Sequence, residues 1–270
     1  MLGLKEKMQR TIKPYIPTPI LRLSYEVYRL SLHTGRDLPT AILIETNTLC
    51  TRSCHYCPRA TKKKITLKTE TFHSIIDQIK EWGFRGRISP HSYNEPLTDS
   101  RIFDLISYTH KKLPQSKIIL FTNGDLLTAK KIDRLIDVGV SEIRVSLHEP
   151  ISAKSKNRLI ELGKQYDLIK LKDMTDANRE LPLINRGGLL SFKRIEHLPF
   201  CSLINMMVIR ADGNIVLCCN DVNEHHILGN VEEEDLESVW NKPKFRELRH
   251  DIRRGRYALP ICKRCGYERV

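Results

Sequence analysis

No stretch of this 270-residue chain approaches the roughly 20 apolar residues of a membrane-spanning helix. The first 40 residues hold only short apolar runs broken by Lys, Arg and Pro, unlike a secretory signal. Internal repeats and low-complexity tracts are also missing. Acidic residues are in deficit. Against 45 Lys and Arg stand 32 Asp and Glu, a formal net charge of +13. The cations are scattered, apart from Lys62, Lys63 and Lys64, and no recognisable nucleic-acid-binding module accompanies them. A generally basic surface is therefore expected, and nucleic acid is not an expected partner. A cytoplasmic location is expected, where thiols stay reduced and clustered cysteines bind metal or do chemistry.

What the chain does have is eight cysteines in patterned positions. Cys50, Cys54 and Cys57 form C-x3-C-x2-C just after the apolar run Ala41-Ile42-Leu43-Ile44. A strand ending in a short loop can turn three thiolates towards one point. Three is the wrong count for a closed zinc site, which wants four ligands. It suits an iron–sulfur cluster with one open iron position. Cys201, Cys218, Cys262 and Cys265 form C-x16-C followed by a distant C-x2-C. Four thiolates fit either zinc or a [4Fe–4S] cluster, and from the residues alone zinc is the commoner answer.

Apolar strand-like runs at 41–45, 86–90, 117–121, 142–147 and 167–171 alternate with helix-like segments at 69–82, 100–112, 128–138 and 154–165. Repeated βα units predict an α/β fold with a parallel sheet and a site at the carboxyl ends of its strands. The three cysteines, the segment Tyr93-Asn94-Glu95-Pro96 and the segment Thr122-Asn123-Gly124-Asp125 all fall there. Ahead of these units, residues 1–17 are basic and carry Pro14 and Pro17. Thr18-Pro19 then opens an amphipathic helix with Ile20, Leu23, Val27 and Leu30, ending near Gly35; its two tyrosines and few basic residues favour packing over an open barrel end, with a membrane surface as the alternative. After about residue 175 the character changes. Asn185-Arg186-Gly187-Gly188 reads as a turn, 207–217 as a hairpin around Asp212-Gly213, and 235–240 and 244–253 as helices. The expected organisation is a basic extension with a helix at 1–39, a main domain at 40–179 and a small metal-stapled domain at 180–270.

The C-x3-C-x2-C spacing, with Tyr56 before its last cysteine, resembles the signature of the radical S-adenosylmethionine (SAM) enzymes. The resemblance implies an open partial barrel of parallel βα repeats. It implies a [4Fe–4S] cluster on Cys50, Cys54 and Cys57 that binds SAM and cleaves it to a 5′-deoxyadenosyl radical. Ser92 to Pro96 resembles the family's Gly-Gly-Glu-Pro segment, with Tyr93-Asn94 in place of Gly-Gly. Tyr93, Asn94, Glu95 and Pro96 are then SAM-binding, with Glu95 facing the methionine ammonium. Thr122 and Asn123 match a second SAM-contacting segment. The C-terminal cysteines, with Gly213, Leu228-Gly229-Asn230 and Ser238-Val239-Trp240, resemble the SPASM or shortened twitch domain. That implies a second, auxiliary [4Fe–4S] cluster on Cys201, Cys218, Cys262 and Cys265.

Within that family the chain is similar to a dehydrogenase acting on an aminocyclitol. The similarity is carried by residues 86–89, 94–97, 122–125 and 185–188 in one order. It implies that Arg186 lies against the substrate, where a fixed cation with a fork of donors can orient a hydroxyl. Two departures stand out. Phe121 replaces a tyrosine, and Cys219-Asn220 replaces Phe-Glu. Neighbours on an extended segment point to opposite sides. If Cys218 faces a cluster, Cys219 can face the substrate as a hydrogen-atom donor; a buried apolar thiol is the ordinary alternative. His148 is a further candidate base, more simply structural, and His225-His226 read as a solvated loop.

The resemblance implies an oxidoreductase that takes hydrogen from a hydroxyl- or amine-bearing carbon of a sugar- or aminocyclitol-like small molecule, with the auxiliary cluster accepting an electron. An electron donor such as a flavodoxin or ferredoxin is expected. Epimerisation with Cys219 as donor is the alternative. Modification of a ribosomal peptide ranks below both, because no leader-binding domain is visible.

Overall fold

A computed structural model describes residues 18–33, 35–57, 63–175, 183–197 and 199–268. The expectations for the basic extension at 1–17 and for a boundary near residue 180 lie outside the described residues. Helix α1 (Thr18–Leu32) precedes five βα-type strands: β1 (Ala41–Ile44), β2 (Arg87–Ser89), β3 (Lys117–Thr122), β4 (Glu142–Leu147) and β5 (Ile169–Asp173). Helices α2 (Thr69–Glu81), α3 (Ile102–Lys112), α4 (Ala129–Asp137) and α5 (Ala153–Gln165) alternate with them. The C-terminal part adds β6 (Ile195–Glu196), β7 (Met206–Ile209), β8 (Asn214–Val216), β9 (Ile227–Asn230), α6 (Leu236–Asn241), α7 (Pro243–Arg253), α8 (Pro260–Arg264) and β10 (Tyr267–Glu268).

The eight-stranded sheet runs β5-β4-β3-β2-β1-β7-β8-β9. Strands β5 to β1 are parallel to their neighbours, and β7 is parallel to β1, with Leu43 opposite Val208. Strands β8 and β9 continue the sheet antiparallel. β1 therefore sits in the sheet interior, and all four of its residues are buried. That is why Ala41-Ile42-Leu43-Ile44 is apolar without alternation. Helix α2 places Phe72, Ile75, Ile76 and Ile79 on one buried stripe. Thr128 caps α4 and Ser152 caps α5, each accepting a backbone N–H three residues on.

The core is continuous between the two parts of the chain. Trp82, after α2, meets Trp240 of α6 edge to face at 6.4 Å, and both lie in one apolar cluster with Ile42, Met207 and Val239. Asp37 is a polar hub at the same junction. Its carboxylate pairs with Arg29 of α1 and with Arg249 and Arg253 of α7.

Helix α1 is amphipathic, as its sequence predicts, but it docks by the opposite face. Ile20, Leu23, Val27 and Tyr28 are exposed. The inward face is polar: the Tyr25 hydroxyl donates to the Ser202 carbonyl at 3.2 Å, and Arg29 bonds Glu26 and Asp37. The ion pairs of Arg29 fix the rotation of the helix, and its apolar stripe is left outside. The β6–β10 ladder is a separate two-stranded sheet that pairs Tyr267 with Glu196.

Candidate functional site

The loop leaving β1 carries the first three cysteines. It is tied to the ends of the next strands by side chains. Asn123, just past β3, donates to Thr51 Oγ1 at 3.0 Å and to Cys50 Sγ at 3.6 Å. Arg52 makes a two-armed contact with Asp125, donating to Oδ2 at 2.8 Å and to Oδ1 at 2.5 Å. It also donates to the carbonyls of His148 and Pro150 past β4. The Tyr56 hydroxyl meets His148 Nδ1. One arginine thus fastens the cysteine loop to the carboxyl ends of β3 and β4. Gly124 must be glycine in this corner: its φ is +78°, and a Cβ would lie 2.8 Å from the Leu159 methyls.

Glu95 follows β2 and is buried. Its carboxylate accepts from Thr122 Oγ1 at 2.8 Å, from the Asn123 N–H at 2.7 Å and from the Leu97 N–H at 3.2 Å. Burial raises its pKa, and these three bonds oppose the rise. The carboxylate joins the end of β2 to the end of β3, so its role is structural whatever it meets in a ligand. Asn94 turns its Oδ1 to the Ser92 N–H. Pro96 opens a short 3-10 turn beneath and is buried. Glu45, at the end of β1, accepts from the Tyr93 N–H at 3.0 Å and lies 4.0 Å from Arg210.

These segments enclose a cavity of about 660 Å³. Cys50, Cys54 and Cys57 line it, with Tyr93, Asn94, Glu95, Thr122, Asn123, Arg186, Cys219 and His148. Pro96 and Asp125 are not among its walls. Arg186 reaches it from a turn in which Arg186, Gly187 and Gly188 all have positive φ, +51° for the arginine. A side-chain-bearing residue in that region is strained and is held by its surroundings. The Arg186 guanidinium lies 5.4 Å from the Tyr93 ring, and Arg210 lies 5.0 Å from the same ring. The Tyr93 hydroxyl donates to the Cys219 carbonyl at 2.5 Å.

The other four cysteines, Cys201, Cys218, Cys262 and Cys265, ring a small void of about 30 Å³ behind this cavity. All eight are free thiols. Burial pushes Cys201 up to about 11 and Cys262 up to about 12, and Cys218 and Cys265 are raised as well. Among the described residues no three His, Cys, Asp or Glu side chains converge on a single-ion site. Asn220 spans the two sites: its Oδ1 accepts from Arg186 at 3.3 Å and its Nδ2 donates to Cys265 Sγ at 3.7 Å. His225 and His226 lie away from both, with their N–H groups on the Asp221 carboxylate.

Sequence reasoning missed Arg52, Glu45 and Arg210, and also His91, which lines the cavity and stacks on Phe121 at 5.3 Å. Burial and nearby Arg186 push His91 down to about 3, and His148 goes down to about 4. Both imidazoles are neutral at pH 7. Arg52 carried no signal beyond its place inside the cysteine motif. Arg144 of β4 and Lys170 and Lys172 of β5 did carry one. A parallel strand covered on both faces is a continuous apolar run, whereas these strands alternate charged and apolar residues. Their charged faces line the cavity.

Two family models match the chain: the radical SAM superfamily over residues 44–165 and SPASM, an iron-sulfur cluster-binding domain, over residues 201–266. The S-adenosyl-L-methionine-dependent 2-deoxy-scyllo-inosamine dehydrogenase of Niallia circulans is 30% identical over 238 residues, 83% of this chain and 92% of that protein. A crystal structure of BtrN in complex with AdoMet and 2-DOIA matches with a TM-score of 0.76 at 29% identity, over 84% of this chain and 93% of that chain. SuiB of Streptococcus suis bound to precursor peptide SuiA shares the fold alone, with a TM-score of 0.53 at 13% identity over 83% of this chain and 69% of that one.

Proposed function

The chain belongs to the radical SAM superfamily, and from that membership we propose that it oxidises a hydroxyl-bearing carbon of a small cyclic polyol or aminocyclitol to a ketone. The observation that carries this reading is the shared cavity. Three cysteines stand on one wall, Arg186 reaches it from another element, and a second four-cysteine void lies one residue behind Cys219. The donor sets fit two [4Fe–4S] clusters, one on Cys50, Cys54 and Cys57 and one on Cys201, Cys218, Cys262 and Cys265. When bound, the first cluster with SAM supplies hydrogen-atom abstraction, and the auxiliary cluster supplies an electron acceptor.

The protein's own residues then have assignable tasks. Arg52 and Asn123 hold the cysteine loop in place, and Asn123 donates to a cysteine sulfur, a contact that tunes a cluster. Tyr93, Asn94, Thr122 and Asn123 form the wall on which SAM lies, and Glu95 braces it. Arg186 orients the substrate oxygen and stabilises negative charge on it as the O–H proton leaves. His91 lines the cavity and is held neutral by burial and by Arg186, so the departing proton goes to solvent rather than to it. A small electron-transfer protein such as a flavodoxin or ferredoxin supplies the reducing electron, and the location is cytoplasmic. Among the described residues no helix is long and apolar enough to cross a membrane.

The placement of Cys219 on the cavity favours one second reading, epimerisation with its thiol as hydrogen-atom donor. Dehydrogenation leads because a relative 30% identical over 83% of this chain is a dehydrogenase. Anaerobic reconstitution tests the reading. Expected are about eight irons per chain and release of 5′-deoxyadenosine from SAM under reduction. Replacing Cys50, Cys54 and Cys57 together by alanine should remove about half the iron and all SAM cleavage. Zinc without iron, or cleavage that survives the triple replacement, would sink it.

A further inference from the structure

The cavity has a floor as well as a cofactor end, and the floor is cationic. Phe121 of β3, Arg144 of β4 and Lys170 of β5 stand in one register row across three strands. Arg87 opens β2 in register with Ala41, the first residue of β1. The cysteine loop leaves after Ile44, so Arg87 lies roughly 10 Å along the strands from it. The guanidinium carbons of Arg87 and Arg144 are 5.7 Å and 5.3 Å from the Phe121 ring centre. The two arginines therefore converge on one aromatic platform.

Arg87 is poorly satisfied. Its Nε is buried without a hydrogen-bond partner, and its Nη2 has only the thioether sulfur of Met206, at 3.4 Å. A thioether is a weak acceptor. Among the described residues Arg87 pairs with no carboxylate. Arg144 is paired with Glu142, and Lys170 reaches one backbone carbonyl, Asp167 O, at 2.8 Å. A buried cation without a counter-charge is costly, and neighbouring cations add to the cost. The field is felt on the substrate side too, since Arg87 and Arg186 both help to hold His91 neutral.

We propose that Arg87, Arg144 and Lys170 form a binding site for a phosphate group on the substrate. The proposal rests on the reading of this cavity as the substrate site. Arg87, Arg144, Lys170 and the neighbouring Lys172 outnumber Glu142 on the cavity wall, and a phosphate monoester carries about −1.5 to −2 near neutral pH. Arginine forks suit phosphate oxygens geometrically. The carboxylate of SAM belongs at the cysteine end and does not account for Arg87, which starts β2 at the far end of the strands. The substrate class is thus a phosphorylated polyol whose reacting carbon points towards Arg186 and whose phosphate is seated on the floor.

The test uses the full chain, reconstituted anaerobically and saturated with SAM, in calorimetric titrations with inorganic phosphate, acetate, glucose and glucose 6-phosphate. Inorganic phosphate and glucose 6-phosphate are expected to bind, with affinity falling as salt rises, and glucose is not. Arg87→Gln should weaken phosphate binding roughly ten- to a hundredfold, and Arg87→Lys should recover part of it. Lys170→Gln is the second variant should Arg87→Gln unfold, and it should weaken binding in the same sense. No phosphate binding, phosphate binding unaltered by these replacements, or acetate binding as tightly as phosphate would each overturn the proposal. SAM affinity is read on the same wild-type sample. Loss of SAM binding counts against the radical SAM site, whereas SAM binding without phosphate binding counts against the floor alone.

Discussion

Cys218 and Cys219 share a peptide bond, yet Cys218 faces the four-cysteine void and Cys219 the large cavity. Burial holds the Cys219 thiol protonated, against the pull of Arg186 and Arg210. A protonated thiol on that wall could return a hydrogen atom, and oxidation needs none. Under dehydrogenation, Cys219→Ala should still form ketone. The wild-type product in heavy water decides the matter: an inverted carbon carrying one solvent deuterium would replace dehydrogenation by epimerisation.

Arg52→Ala should loosen the cysteine loop without unfolding the chain. The side chain is 11% exposed and holds Asp125 and two carbonyls. Losing charge-assisted bonds of this kind costs about 1.5–3 kcal/mol. Iron analysis after reconstitution should show the first cluster depleted and the auxiliary one retained. Full iron content would show that the cysteines need no such clamp.

Glu95→Ala should lower thermal stability as well as SAM affinity. Removing the carboxylate leaves the buried Asn123 N–H without its acceptor, a cost of about 1–3 kcal/mol. A melting temperature equal to that of the wild type, with SAM affinity reduced, would restrict Glu95 to the ligand.

Gly187→Ala should disturb both sites at once. The residue has φ +67°, and a Cβ would lie 2.4 Å from Ile261 Cγ1, next to Cys262. Its other neighbour is Arg186. The expected result is a shifted electron paramagnetic resonance signal from the auxiliary cluster together with weaker substrate binding. A spectrum identical to the wild type would refute the coupling.

Acid should destabilise the protein through His91. Its ordinary value is 6.5, and the folded value is about 3. Between those values the unfolded chain binds a proton that the folded chain excludes, so stability falls as pH is lowered through that window. Above about 6.5 the group contributes no pH dependence. Urea midpoints from pH 7 to pH 4 should fall less steeply for His91→Phe, which keeps the ring stacked on Phe121. Equal slopes would remove His91 from the account.

The parallel strands and the helices between them were legible because each rests on local periodicity, and the C-x3-C-x2-C loop because it rests on local spacing. Seven cysteines line the two spaces, three on the large cavity and four around the small void. The orientation of α1 was not legible: Ile20 and Leu23 mark a stripe, but the distant partner Asp37 decides which face turns inward. Glu45 and Arg210 were hidden for the same reason, because their pairing joins residues far apart in sequence. The two-residue strands β6 and β10 are too short to carry any periodicity. The tie of Glu95 to Thr122 and Asn123 likewise exists only once β2 and β3 lie side by side.

The pairing of β7 with β1 limits how this protein can be cut. A fragment ending near residue 175 would keep the cysteine loop but strip β1 of its partner from Ala41 to Ile44. The exposed edge would be four apolar residues long, without the charges or prolines that keep edges from sticking to one another. Such a fragment should aggregate rather than bind iron. The cysteine loop is therefore not a transferable cassette, and engineering it into another scaffold would require carrying β7 along as its neighbour.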